Sequence, residues 1–306
     1  MRTPTHRFVS RALAALFLLS TLAVASGQTA RKPPVAQAPA AGTVIFSVKK
    51  YETSFQIEPV VVLRGRTYAA PPVDDGDVTG GGVVASAKRF IAEHFRPGRQ
   101  FRLLFGGGED GSVRVVKYVE PGCVGMYAEV SAETSARLGG EVQALATNSR
   151  TIGDGAASRR APTEAERAAA LDLARAAFAR NGATPALVKK MEVFNLTAAD
   201  LDGDGRFELV GSFRIENNTD QTADARTLFM IYEPAATGLR AALTWHHRGG
   251  EAEYADRRFV DHADLDGDGV SEVIAEGHYY ESNDYFIYKK QQGRWRPVYQ
   301  GGGGGC

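Results

Sequence analysis

The feature that most constrains this chain is an acidic stretch that occurs twice, Ala-Asp-Leu-Asp-Gly-Asp-Gly-x-x-Glu, from Ala199 to Glu208 and again from Ala263 to Glu272. Four carboxylates within nine residues repel one another unless a cation lies among them. Acids at the first, third, fifth and ninth positions, with Gly at the sixth, suit a hard divalent ion that draws oxygens to roughly 2.3–2.6 Å. The implied ion is calcium, one per loop.

The flanks decide what frame holds the loops. In a helix–loop–helix calcium site the twelfth residue is a bidentate Glu and both neighbours are helical. Here the twelfth positions are Gly211 and Ala275. Val193 to Leu196 and Leu209 to Phe213 flank the first loop, and Phe259-Val260 and Val273-Ile274-Ala275 the second, all with the character of strands. Each loop therefore reads as the turn of a hairpin. Asp200 and Asp264 are 64 residues apart, which is room for four strands and their turns.

On these residues the segment 192–299 resembles the FG-GAP or VCBS repeat, the blade unit of integrin-like calcium-binding β-propellers. The resemblance implies that each loop joins the first two strands of a blade. It implies Asp200, Asp202, Asp204 and Glu208 as side-chain ligands of one calcium and Asp264, Asp266, Asp268 and Glu272 of the other, with backbone carbonyls from Arg206 and Val270. Two repeats cannot close a propeller of the usual four to eight blades. Either degenerate blades occupy the N-terminal half, or two blade-like sheets stack openly under a capping helix; the second arrangement is the expectation.

The remaining chain sets compartment and domains. Arg2, Arg7 and Arg11, an apolar run from Ala12 to Ala25 and small residues after it have the three-part pattern of a secretory signal peptide over 1–25, too short an apolar stretch for a spanning helix. Residues 26–42, rich in Ala, Pro and Gln, read as a disordered tether. The expected location is secreted or periplasmic, with no membrane span once the leader is cleaved. The chain holds 36 basic and 36 acidic residues, and the leader takes three arginines with it. A near-neutral surface gives no footprint for nucleic acid. Cys123 and Cys306 are the only cysteines. In an oxidising compartment one Cys123–Cys306 disulfide is the economical reading, with a free or intermolecular thiol as the alternative. The Gly301–Gly305 run before Cys306 reads as a flexible string, or as an added handle.

Residues 43–148 read as a small α+β sheet domain. Its strands are Val44 to Val48, Ile57 to Leu63 (near an edge, because of Pro59), Phe101 to Phe105, Val113 to Val119, Gly125 to Ser131 and Glu141 to Thr147. A helix over 84–95 follows a loop over 70–82. Gly106-Gly107-Gly108 runs into a strand and lacks the Lys-Ser/Thr of a phosphate loop. Residues 149–161 form a linker. Thr163 and Glu166 then make a capping box for a helix that ends at Asn181-Gly182. Residues 162–300 carry that helix and the two repeats, with a turn at Ser282-Asn283-Asp284, and 301–306 are the tail. His94, His246, His247, His262 and His278 show no ligand spacing and read as packed or surface histidines. Tyr279, Tyr280, Tyr285, Tyr288, Trp295 and Tyr299 read as cross-strand packing, or as a face for a sugar or peptide.

The fold class is thus mainly β, α+β overall. The expected function is structural, adhesive or recognition, toward an unidentified protein or carbohydrate partner, with calcium rigidifying two hairpin loops and without catalysis. The alternative is an extracytoplasmic hydrolase-like enzyme whose calcium loops are only structural.

Overall fold

The computed structural model describes residues 42–72, 85–120, 123–219 and 222–306. The expected leader, the expected tether up to residue 41 and the part of the expected loop beyond Pro72 lie outside these residues. The described fold is mainly β, as its alternating segments require.

β1 (Thr43–Tyr51), β2 (Ser54–Arg64) and β3 (Thr67–Ala69) precede α1 (Ala85–His94), after which come β4 (Gln100–Phe105), β5 (Gly108–Val119), β6 (Tyr127–Thr134) and β7 (Ala144–Thr147). They lie side by side in the order β1-β7-β4-β5-β6-β2, and β1 also pairs with β2, so the sheet closes into a six-stranded barrel with β3 appended to β2. The small α+β sheet domain of the N-terminal half is therefore a closed barrel, and not a set of propeller blades. Strand alternation shows why it closes. Val44, Phe46 and Val48 join Ile57, Leu103, Val113 and Val115 in one core with Phe90 of α1, while Ile45 faces a different core. His94 is buried against the Phe90 ring, with centroids 4.4 Å apart, and burial lowers its pKa. Pro59 is not on an outer edge of the sheet. It sits where the β1–β2 register slips between Ile45 and Phe46, in the stretch of β2 between its pairings with β6 and β3, so its missing N–H leaves no ladder bond broken there.

The segment after the barrel is packed. Arg159 and Arg160 form a short strand β8, and the Arg159 side chain is 5 % exposed beside the fully buried Asp261. Next come α2 (Glu164–Arg180) and the short α3 (Pro185–Val188). The Thr163 hydroxyl accepts the Glu166 N–H, while the Glu166 carboxylate accepts the Thr163 N–H at 2.7 Å, so the capping box is complete.

Two antiparallel meanders follow. β9 (Glu192–Ala199), β10 (Glu208–Thr219), β11 (Thr222–Pro234) and β12 (Leu239–Gly249) form one sheet, to which β8 adds a fifth strand beside β9. β13 (Ala255–Ala263), β14 (Glu272–Tyr279), β15 (Ser282–Gln291) and β16 (Arg294–Gly305) form the other. Period-two patterning builds layers. Leu228, Met230 and Tyr232 pack with Ala170, Ala174 and Phe178 of α2, whereas Phe229 and Ile231 pack with Val273, Ala275 and Tyr288. Ile274 and Ile287 turn the other way, onto Ile45, Val61 and Leu145 of the barrel wall. The four-stranded sheet is thus buried on both faces, which is why Val273-Ile274-Ala275 reads as a continuous apolar run.

The glycine tail is a strand. Gly301 to Gly305 extend β16 beside β15, and a Cβ on Gly304 would fall 2.1 Å from the Val124 carbonyl oxygen. The slot admits backbone only, so the string expected to be flexible is instead gripped on both sides. It ends in the Cys123–Cys306 disulfide, with Cα atoms 5.1 Å apart.

Candidate metal centres in the two acidic loops

Each acidic loop joins the first and second strands of its meander, β9 to β10 and β13 to β14. Both are wound by the same backbone bonds. The first Asp accepts the N–H of the sixth residue, Gly205 to Asp200 at 3.0 Å and Gly269 to Asp264 at 2.9 Å. The fifth Asp accepts the N–H of the seventh, Arg206 to Asp204 at 2.7 Å and Val270 to Asp268 at 3.0 Å. The ninth Glu reaches back to the second residue, Leu201 N–H to Glu208 at 3.0 Å and Leu265 N–H to Glu272 at 2.8 Å. Gly205 and Gly269 hold φ of 81° and 88°, a left-handed turn that favours glycine.

These windings gather three carboxylates per loop. Ligand oxygens of Asp200, Asp202 and Glu208 lie within 4.8 Å of one another, as do those of Asp264, Asp266 and Glu272, so each group could hold a metal ion. Asp204 is exposed, and Arg206 enters the loop's hydrogen bonding through its N–H. Burial pushes the carboxyls of Glu208 and Glu272 up to about 7. Burial disfavours the charged carboxylate, and a positive charge beside it favours that form again.

The loops differ in how that charge is supplied. In the second, the Lys289 ammonium donates to Asp266 at 3.0 Å, Asp268 at 2.6 Å and Glu272 at 2.6 Å. Burial disfavours the ammonium, but the bonds to Asp268 and Glu272 outweigh it and hold the Lys289 pKa above its ordinary value. Asp264 accepts from Gly267, Asp268 and Gly269 N–H, using both oxygens. In the first loop the nearest ammonium, Lys290, touches Asp202 at 3.3 Å and is shared with Glu233 at 3.2 Å. There Asp200 Oδ1 and Asp202 Oδ1 are buried without a hydrogen-bond partner.

A cleft of about 550 Å³ opens between the loops, with Gly107, Ser158, Asp200, His262 and Asp264 in its wall. Ser271 N–H of one loop donates to Leu201 O of the other at 2.7 Å, locking the two together. His262 is buried, with Nε2 3.4 Å from Ser158 Oγ and Nδ1 unpartnered. Burial, then the Arg159 charge, lowers its pKa to about 3, so the ring is neutral. Asp261 turns its carboxylate to the Gly106 and His262 backbone N–H groups and to Arg159, leaving the ring without an acid to orient it. His278 lies against Glu276 and Asp256, and His247 against the Glu253 carbonyl.

Lys289, Lys290, Glu233, Ser158 and Arg159 had no place in the sequence motif. Each reaches the loops through strand pairing, through β8 or, for Ser158, from the residue just before β8, so only the folded arrangement brings them into view. Comparison of the chain with family models, curated proteins and solved structures gives no match.

Proposed function

We propose that the chain is an extracytoplasmic calcium-binding β-repeat protein of the FG-GAP or VCBS type, with a structural or recognition role. In this reading calcium stiffens the surface around the first acidic loop. The observation that carries it is the pair of buried, unpartnered oxygens, Asp200 Oδ1 and Asp202 Oδ1, beside buried Glu208. A buried acceptor without a partner costs about 1–3 kcal/mol, more when charged, and a cation bound by these oxygens offsets that cost. Asp200, Asp202 and Glu208, with Asp204 and the Arg206 carbonyl at the rim, are an all-oxygen set. Such a set suits calcium rather than a softer metal. The Cys123–Cys306 disulfide supports an oxidising compartment. No described helix is long and apolar enough to cross a membrane.

Recognition of a protein or carbohydrate partner is supported by an open groove of about 470 Å³ that Tyr254, Tyr279 and Tyr280 line together with Glu216, Glu251 and Glu281. A hydrolase is the weaker reading. The Ser158–His262 approach favours it, and the lack of an acid on the His262 ring argues against it.

Extracellular calcium modules commonly bind at about 10⁻⁴–10⁻³ M. Tenfold saturation of one such site adds about 1.4 kcal/mol, which moves a melting temperature by a few degrees. Thermal melts in chelator and in millimolar calcium check this. The expected result is an upward shift in calcium that D200N and E208Q abolish; identical melts in both buffers would overturn the reading.

A further inference from the structure

We infer that the twin loops are not twin sites: the first takes a divalent cation, and the second is closed by the chain's own ammonium, Lys289, and takes none. The inference rests on the calcium reading of the first loop and adds which of the two acidic groups is the ion's. Strand register carries it. In the second meander Val273 lies opposite Tyr288, so one residue further along Glu272 meets Lys289. In the first meander Leu209 lies opposite Tyr232, so the residue that meets Glu208 is Glu233. Cross-strand neighbours on one face of an antiparallel pair are the residues that neutralise or repel one another. At the same point of two otherwise matched hairpins, the chain has placed a base against one ninth-position Glu and an acid against the other.

The consequences are visible in each loop. Lys289 Nζ sits within 3.0 Å of Asp266, Asp268 and Glu272, three of the four acids that the repeat motif assigns to the second ion. An ion entering there has to displace an ammonium that is only 12 % exposed and already gives each of those carboxylates a short charge-assisted bond. Glu233 leaves the first loop more acidic instead, and Trp295 Nε1, Lys290 and Arg240 hold its carboxylate in place. Lys289 and Lys290 are consecutive in β15 and so leave opposite faces of the strand. The residue that points at the first loop spends its charge on two carboxylates at 3.2 and 3.3 Å and leaves Asp200 Oδ1 unpartnered.

The test is calcium stoichiometry by isothermal titration calorimetry on the chelator-stripped full chain, with D200N, D264N and K289M beside it. One ion per wild-type chain, lost in D200N and kept in D264N, is the expected result. K289M then binds two. No ion in the wild type overturns the calcium reading itself. Two ions in the wild type, one ion lost in D264N but not in D200N, or K289M remaining at one all overturn the inference while leaving calcium binding standing. If K289M does not fold once its acids are bare, the wild type and D264N decide the question alone.

Discussion

Lys49 and Glu276 meet where the barrel touches the four-stranded sheet. The ammonium bonds both Glu58, at 2.9 Å, and Glu276, whose other oxygen accepts from Gln143 at 2.9 Å; Tyr285, fully buried, donates to Glu58 at 2.6 Å. Taking one partner from a buried ion pair strands the other, so K49M is expected to lose about 3–5 kcal/mol in urea unfolding, and K49M/E276L to recover part of it. Glu166 gives a smaller effect with a definite sign. Its hydrogen bonds to Arg160, then that to the Thr163 N–H, lower its pKa to about 2. The folded value lies below the unfolded one, so the stabilisation is complete above about pH 4.5 and is lost as pH falls toward 2. The carboxylate is partly exposed, so about 1 kcal/mol is expected, and E166Q should flatten that part of the stability–pH curve. The capping box was legible because it lies within four residues. Lys49 and Glu276 are 227 residues apart and carry no mark of each other until the strands are placed.

Among the elements, the hairpin joining β14 and β15 shows what sequence reading lacks. The polar Ser282-Asn283-Asp284 looks like the turn, and centred there Glu272 would face Arg294. The chain turns two residues earlier, at Tyr280-Glu281, with Glu281 at φ 60°, and this is what sets Lys289 against Glu272. Acidic spacing and strand character thus reveal both loops and most strands, whereas charge balance within a loop depends on the register of a neighbour. Gly301 to Gly305 read as a string and not as the end of β16 for a similar reason, since glycine carries no side-chain pattern to betray a strand. Its role is steric: G304A should cost about 1–3 kcal/mol in chemical denaturation, because a methyl group meets the Val124 carbonyl. Reduction, or C123S/C306S, should remove up to about 5 kcal/mol, given the 183 residues between the two cysteines. That loss appears as a lower denaturant midpoint.

At the scale of the molecule, barrel, four-stranded sheet, five-stranded sheet and α2 form consecutive layers that share walls. Ile274 faces the barrel and Ala275 the other sheet, so neither core survives loss of the middle layer, and calorimetry should show one transition with matching van't Hoff and calorimetric enthalpies. Closure of the barrel could not be read from its strands singly, because the β1–β2 and β1–β7 pairings together make a ring only in three dimensions. The doubly covered middle sheet also has a meaning in time. Tyr299 reaches the Val60 carbonyl across 239 residues of chain, and most of the side chains that cover Ile45, Val61 and Leu145, among them Val260, Ile274, Tyr285 and Ile287, come from the last sheet. A chain that has built its barrel but not yet β13 to β16 presents a bare oily wall, and contacts so distant in sequence form slowly. During folding, the interval before the final strand arrives is therefore when this protein is most exposed to sticking to its neighbours.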